Sequence, residues 1–267
     1  MIGSLSLAAL AAGCTLLPRY RVPESAFARD TVEVPCCVRG DRALELTYLG
    51  VGGWILRMGG DAVLTAPLFS NPGLLEAGFR PVEARPEAID RRLPDVSDVA
   101  AVLAGHGHYD HLMDVPWILA HRAPDALLYA NETSWRQVEP FGFRRRELGP
   151  PGPDGELRPG RGDGRVVVLA DSVAGDDATP GRWIRVSPGV RIMPLVSAHA
   201  PHLAGMTLYA GRRTRAMDGP PRSAEEWLDG RTYAFLIDFL GADGSVAARI
   251  YYQDAVAAPP YGLVPPL

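Results

Sequence analysis

Residues 101–116 read AVLAGHGHYDHLMDVP. His106, His108 and His111 bring half of the chain's six histidines into this one stretch, with Asp110 between the last two. The apolar run Val99 to Leu103 ahead of them reads as a buried strand, and the spacing over Met113 to His121 reads as a helix behind them. Ligand-type side chains at the end of a buried strand stand where α/β proteins gather their sites. In extended backbone, residues two apart point the same way, so His106 and His108 can face one ion. Gly105 and Gly107 add no bulk and let the backbone approach its neighbours closely. Asp110 and His111, at the turn into the helix, offer an oxygen and a nitrogen beside the first pair. Imidazole with carboxylate suits zinc, and also iron or manganese. The alternative is a polar loop of structural histidines, and this density argues against it.

The stretch resembles the hallmark of the metallo-β-lactamase superfamily, His-X-His-X-Asp-His after a strand, with His106, His108, Asp110 and His111 filling every position. The resemblance runs from about residue 44 to the end of the chain. It is nearest the branch that contains N-acyl-phosphatidylethanolamine phospholipase D and the ascorbate-6-phosphate lactonases. It implies an α/β fold, a four-layer αβ/βα sandwich with two mixed sheets between helix layers. It also implies hydrolysis in which one or two metal ions, zinc first, lower the pKa of water toward ~7 and polarise the substrate oxygen. Asp110 is then the catalytic residue, orienting the water or taking its proton, as well as a ligand of the second metal.

Working outward, Leu44 to Leu49, Trp54 to Met58 and Ala62 to Ala66 are apolar or alternating runs separated by glycine turns, which reads as a meander of three strands. Superfamily members usually end the third strand in Asp-Pro; here the pair is Ala66-Pro67, so an aspartate that supports the loop is missing. Residues 68–98 read as a loop flanking the site with one short helix. Ala126 to Ala130 reads as a strand and Glu132 to Val138 as a helix. Arg144-Arg145-Arg146 reads as a solvated face. Residues 149–164 form a Pro/Gly-rich loop, and strands resume at Val166 to Ala170, Trp183 to Val186 and Val190 to Val196.

The last of these runs into Ser197-Ala198-His199-Ala200-Pro201-His202. A histidine at this point completes the first metal site in the related hydrolases. His199 matches that place best, and His202 is the alternative. With His106 and His108 it makes three imidazoles and leaves a position open for water. Thr232 to Phe239 and Val246 to Tyr252 form a hairpin ending in Gln253-Asp254. The resemblance makes Asp254 the carboxylate that bridges both metals, although glutamine replaces the usual glycine before it. Between these strands, residues 203–231 read as an insertion beside the site. Their Arg212, Arg213 and Arg215 suit an anionic group of the substrate; a solvated loop is the alternative.

The length of 267 residues allows one large domain, and 47% hydrophobic with 22% charged residues is ordinary for a soluble globular chain. A net charge of −4 provides no global field for nucleic acid. Every one of the 27 basic residues is arginine, which excludes Schiff-base chemistry by a lysine. Residues 1–17 resemble a bacterial lipoprotein signal ending at Cys14, the residue that would carry the lipid, although no Arg or Lys precedes the apolar core. That places the protein at the bacterial cell envelope, tethered to the membrane; the alternative is a cytoplasmic protein. Residues 18–43 read as a linker and 44–267 as the hydrolase domain. Cys36 and Cys37 are adjacent and read as structural, because adjacent cysteines rarely meet disulfide geometry. No histidine follows His202, whereas the superfamily continues to a last histidine for the second metal, so the expectation is a fold incomplete at its C-terminus.

The functional expectation is a hydrolase of an ester or phosphodiester, in the membrane case a phospholipid. Alternatives are a lactonase or carboxylic-ester hydrolase on the same site, and a metal-binding protein with little activity.

Overall fold

The computed structural model describes residues 43–201, 206–255, 264, 265 and 267. The expectations placed on residues 1–42, among them the signal segment, Cys14, Cys36 and Cys37, and on His202 lie outside the described residues.

The meander forms as β1 (Leu44–Gly50), β2 (Gly53–Met58) and β3 (Asp61–Thr65), paired antiparallel in turn. From β3 onward the pairing is parallel, through β4 (Val99–Leu103), β5 (Leu127–Ala130) and β7 (Val166–Val168), with β6 (Arg145–Arg146) on the far edge. The seven strands lie in the order β1-β2-β3-β4-β5-β7-β6. A second sheet, in the order β11-β10-β9-β8, joins β8 (Ile184–Ser187), β9 (Val190–Val196), β10 (Tyr233–Leu240) and β11 (Val246–Tyr252), antiparallel throughout. This is the expected α/β class with two sheets.

Side-chain alternation assigns each strand its two faces. In β4 the register slips by one residue after Val99, so Val99 and Val102 both turn to a layer of helices, while Ala101 and Leu103 turn to the second sheet. In β5 the same division separates Leu128 and Ala130 from Tyr129. The central strands are buried on both faces, which is why they read as continuous apolar runs rather than alternating ones. The helix layer consists of α1 (Leu74–Phe79), α2 (Pro86–Arg92), α3 (Tyr109–Leu112), α4 (Val115–His121) and α5 (Glu132–Val138). From it Ile89, Leu112, Ile118 and Val138 pack against the first sheet.

Between the sheets, Tyr233, Phe235, Ile237 and Phe239 of β10 meet Leu56, Val63, Leu103 and Tyr129. The other face of β10 carries Ala234 and Leu236, which join Met193 and Leu195 in a small cluster. On that face Asp238 is fully buried and is held by its register partners, Arg191 Nε at 3.0 Å and Arg249 Nη2 at 2.8 Å. Among the described residues the helices cover the first sheet only.

Two local readings change and a third is extended. Residues 68–98 hold two helices, α1 and α2, where one was expected. The helix expected over Met113 to His121 starts at Val115 as α4, and a separate single turn, α3, precedes it; Pro116, in the first turn of α4, has no N–H to continue the ladder from α3. Arg144 and Arg145 are exposed, as expected of a solvated face, and the addition is that Arg145 and Arg146 form the edge strand paired with Val166 and Val167. An edge strand of two charged residues resists further pairing, which explains why charge marks a strand here.

The topology brings three chain segments to one edge. β9 and β11 flank β10, so Val196 and Tyr252 leave the sheet on opposite sides of the start of β10. Tyr233 N–H at that start donates to Gly105 O at 2.8 Å, joining this edge to the end of β4.

Candidate metal centre

The chain leaves β4 through Ala104 and Gly105 and reaches α3 at Tyr109, so His106 and His108 lie in the extended connection between strand and helix. The helix starts directly after His108, whose carbonyl accepts from His111 N at 3.0 Å, and this turns His111 back toward His106. The connection is clamped on both sides. Gly107 N–H donates to Asp229 O at 2.9 Å, and Gly107 O accepts from Gln137 Nε2 at 2.8 Å. Both glycines are fixed by close approach. A Cβ on Gly105 would meet Tyr233 O at 2.5 Å and the Asp254 carboxylate, and one on Gly107 would meet Leu228 O and Gln137 Nε2.

The rings of His106, His108 and His199 form a near-equilateral triangle, with centroids 4.8, 4.6 and 4.7 Å apart. One nitrogen from each lies within 4.8 Å of the others. His106, Asp110 and His111 offer a second such group that shares His106. The His106 and His111 rings are 4.4 Å apart, and Asp110 Oδ2 is 3.6 Å from His111 Nε2. The first group is the set expected for the first metal; the second holds Asp110 and His111 of the expected second set, with His106 in place of Asp254.

Asp254 is placed behind the histidines. It is fully buried, with Oδ2 accepting from Gly105 N at 2.8 Å and Oδ1 3.1 Å from His106 Nδ1. Oδ2 also lies 3.8 Å from His111 Nδ1. Burial alone would raise the pKa of Asp254, but the charge and hydrogen bond of His106 outweigh it and lower the pKa to about 2. An ionised carboxylate accepts only, so His106 Nδ1 carries the proton and Nε2 holds the lone pair. Burial likewise works against protonation of His106, and the charge of Asp254 overcomes it, so the pKa of His106 is raised. For His111 burial prevails over the same carboxylate and the pKa is lowered. His199 Nδ1 lies 2.7 Å from Ala200 O, an arrangement in which Nδ1–H donates to that carbonyl.

A divalent cation fits these residues. The buried Nε2 of His106 and Nδ1 of His111 have no hydrogen-bond partner. A buried polar atom without a partner costs about 1–3 kcal/mol. Three imidazoles, each a neutral nitrogen ligand, with a carboxylate fixing the outer nitrogen of one, are the donor set of a metal site.

The arms carrying these groups are tied together by residues that the sequence did not announce. Gln253 Nε2 donates to Ser197 Oγ at 3.0 Å, linking the Asp254 arm to the segment leading to His199. Gln137 is fully buried; besides holding Gly107 it accepts from Leu228 N at 2.6 Å. Asn131 caps α5 by accepting from Ser134 N at 2.8 Å, and its amide donates to Asp229 O and Arg231 O. Asn immediately before a helical run is a readable cap signal; its long-range bonds are not. Asp114 holds the loop after β3: its Oδ2 accepts from Phe69 N at 2.6 Å and Ser70 N at 2.9 Å.

The arginine loop is anchored at Arg213, whose N–H donates to Thr133 Oγ1 at 3.0 Å and whose Nη2 donates to Glu226 O at 3.2 Å. Arg212 and Arg215 are exposed. On the other flank a cleft of about 560 Å³ opens at His111 and Asp254, walled by Leu46, Val51, Trp54, Ile250 and Tyr251.

No protein-family model and no curated protein sequence matches the chain. Solved structures of low similarity do. One is a protein of Parabacteroides distasonis described as a metal-dependent hydrolase, with 16% identity, TM-score 0.39, and 81% of this chain matched to 66% of that one. Igni18, a metallo hydrolase of the archaeon Ignicoccus hospitalis, has 14% identity, TM-score 0.40, and 78% of this chain matched to 60%. A metallo-β-lactamase of Cronobacter sakazakii has 14% identity, TM-score 0.39, and 83% matched to 63%. The chain therefore spans less than two thirds of the length of each of these structures.

Among the described residues no helix is long and apolar enough to cross a membrane.

Proposed function

We propose that this chain is a metal-dependent hydrolase acting on an ester or phosphodiester, built on the metallo-β-lactamase plan. The supporting observation is the meeting of His106, His108 and His199, from two strand ends far apart in sequence, with His106 oriented from behind by the buried Asp254. A divalent cation at such a donor set supplies Lewis-acid polarisation and a nucleophile from water at neutral pH. The rest is the work of the chain. His106, His108 and His199 would hold a first ion and Asp110 and His111 a second, with Asp254 the proposed carboxylate shared by both. Asp110 is the half-exposed carboxylate of the cluster, so it can reach substrate water, orient it and accept its proton at Oδ2.

Within this reading zinc is the first choice of metal. The branch with N-acyl-phosphatidylethanolamine phospholipase D and the ascorbate-6-phosphate lactonases is the proposed kinship, and a phospholipid is the proposed substrate if Cys14 carries a lipid at the bacterial envelope. A lactone or neutral carboxylic ester is the second reading. It is favoured by the apolar walls of the cleft at His111, which carry Val51, Trp54 and Ile250 and no arginine.

The test is metal analysis with a substrate panel. Purified protein should take up zinc and hydrolyse one of three probes: p-nitrophenyl acetate, bis(p-nitrophenyl) phosphate or an aliphatic lactone. Activity should vanish with a chelator and return with metal. Hydrolysis that survives chelation, or a protein that takes up no metal, would end the proposal. Lipid labelling abolished by Cys14→Ser tests the tether.

A further inference from the structure

We infer, on the reading of the histidine cluster as a metal centre, that Tyr209 is a positioning residue of that centre. Its ring holds the His108 imidazole in the arrangement that receives the first ion.

The backbone at Tyr209 is strained. Its φ is +55°, a conformation that non-glycine residues rarely adopt. Among the described residues one other non-glycine residue shares it, Val51 at φ +51°, and Val51 lines the cleft at His111 and Asp254. Both strained residues therefore border the metal centre, Tyr209 on the side of His108 and Val51 on the side of His111. Strained backbone persists only where its surroundings over-determine it, and it gathers at functional sites.

The groups that hold Tyr209 also hold the histidine connection. Asp229 N–H donates to Tyr209 O at 3.3 Å. Two residues on, Gly211 N–H donates to Asp229 Oδ1 at 2.8 Å, and Gly211 O accepts from Gly230 N at 2.9 Å. Asp229 O in turn accepts from Gly107 N at 2.9 Å, between His106 and His108. Asp229 thus fixes the backbone of Tyr209 and that of the connection to each other.

The ring makes use of this fixed backbone. The Tyr209 and His108 rings stand edge to face, with centroids 6.4 Å apart and 86° between planes. Aromatic pairs of this kind attract at about 4.5–7 Å. The tyrosine is half-buried and packs against the helix-layer core. His106 is oriented by the Asp254 carboxylate, and His199 Nδ1 stands at Ala200 O. Tyr209 gives His108 a support made of packing. Glycine at this position would remove the strain and the ring together, so the side chain accounts for a residue that the backbone disfavours.

The test titrates the full chain with cobalt(II), whose visible bands respond to ligand geometry. Tyr209→Phe keeps the ring and should match wild type in cobalt affinity and in band position. Tyr209→Leu keeps an apolar side chain against the core but loses the flat ring. Its affinity should fall about 10-fold and its bands should shift. Tyr209→Asn tolerates positive φ, so it should fold even if the leucine variant does not, and it should show the same loss. A tyrosine that only supports the fold would lower the unfolding midpoint of the metal-free chain in the leucine and asparagine variants and leave affinity and bands as in wild type. That result overturns the inference and leaves the metal reading standing. A phenylalanine variant as weak as the leucine variant also overturns it. A wild-type chain that takes up no cobalt ends both together.

Discussion

Asp254 Oδ1 lies 3.1 Å from His106 Nδ1, and both side chains are fully buried although 148 positions separate them in the chain. This contact determines which nitrogen of His106 is available, and it closes β11 onto the end of β4. Asp254 thus acts behind the histidine whether or not it also touches a metal.

Asp254→Ala should therefore lower metal affinity about 10- to 100-fold, the usual effect of removing a carboxylate that orients a metal-binding histidine. Zinc competition against a chromophoric chelator measures it. Wild-type affinity in this variant would mean that His106 is oriented by something else.

Gly105→Ala places a methyl group against the Asp254 carboxylate and 2.5 Å from Tyr233 O. Both neighbours are held, so the strain should cost about 1–3 kcal/mol of stability. Gly60→Ala is the control, since nothing lies within 4 Å of its Cβ position. Denaturant unfolding of the two variants should separate them clearly, and equal midpoints would disprove the close packing.

Asp114→Ala leaves the N–H groups of Phe69 and Ser70 without their acceptor inside the protein. The expected loss is about 2–4 kcal/mol. Asp114→Asn gives a pH signature instead. Burial is the largest influence on Asp114 and raises its pKa above the usual 3.8 despite the hydrogen bonds from Ser70 and Phe69. A carboxyl with a raised folded-state pKa contributes stability in full below its unfolded pKa, and that contribution is lost as pH rises through the folded value. Asp114→Asn does not titrate, so its stability relative to wild type should improve as pH rises above about 4. A difference independent of pH would show that Asp114 is not desolvated.

The strands around the site were legible because they are short apolar runs: Val99–Leu103 and Val190–Val196 were readable to the residue, as was the helix Glu132–Val138 behind its Asn131 cap. The metal residues were legible because their chemistry is concentrated, with His106, His108 and His111 in one stretch and His199 and Asp254 each just beyond a strand. Gln137 and Asp114 were not. Each is one polar residue in a helical context, and its role exists only after β4 and the loop after β3 have folded onto it. Periodicity reports the face a residue occupies, not the backbone group it will meet. Arg145–Arg146 was missed for a different reason, since a two-residue edge strand has no period to detect.

The arginine loop provides the last prediction. Arg213 is held by Thr133 and Glu226, so Arg213→Ala should lower stability by about 1–2 kcal/mol and affect charged and neutral substrates equally. Arg212 and Arg215 are exposed, and their proposed role is to bind an anionic group of the substrate. If they do, replacing both with alanine should raise KM for bis(p-nitrophenyl) phosphate about 10-fold and leave KM for p-nitrophenyl acetate unchanged, with kcat intact in both cases. That pattern is the mark of binding energy expressed equally in ground and transition states. The apolar cleft at His111 predicts the opposite sensitivity: Trp54→Ala should weaken the neutral ester more than the phosphodiester. The two double comparisons are independent, since Trp54 and the arginines lie on different segments. An enzyme that responds to Trp54→Ala and ignores the arginine pair is a lactonase or carboxylic-ester hydrolase, and the phosphodiester reading then falls.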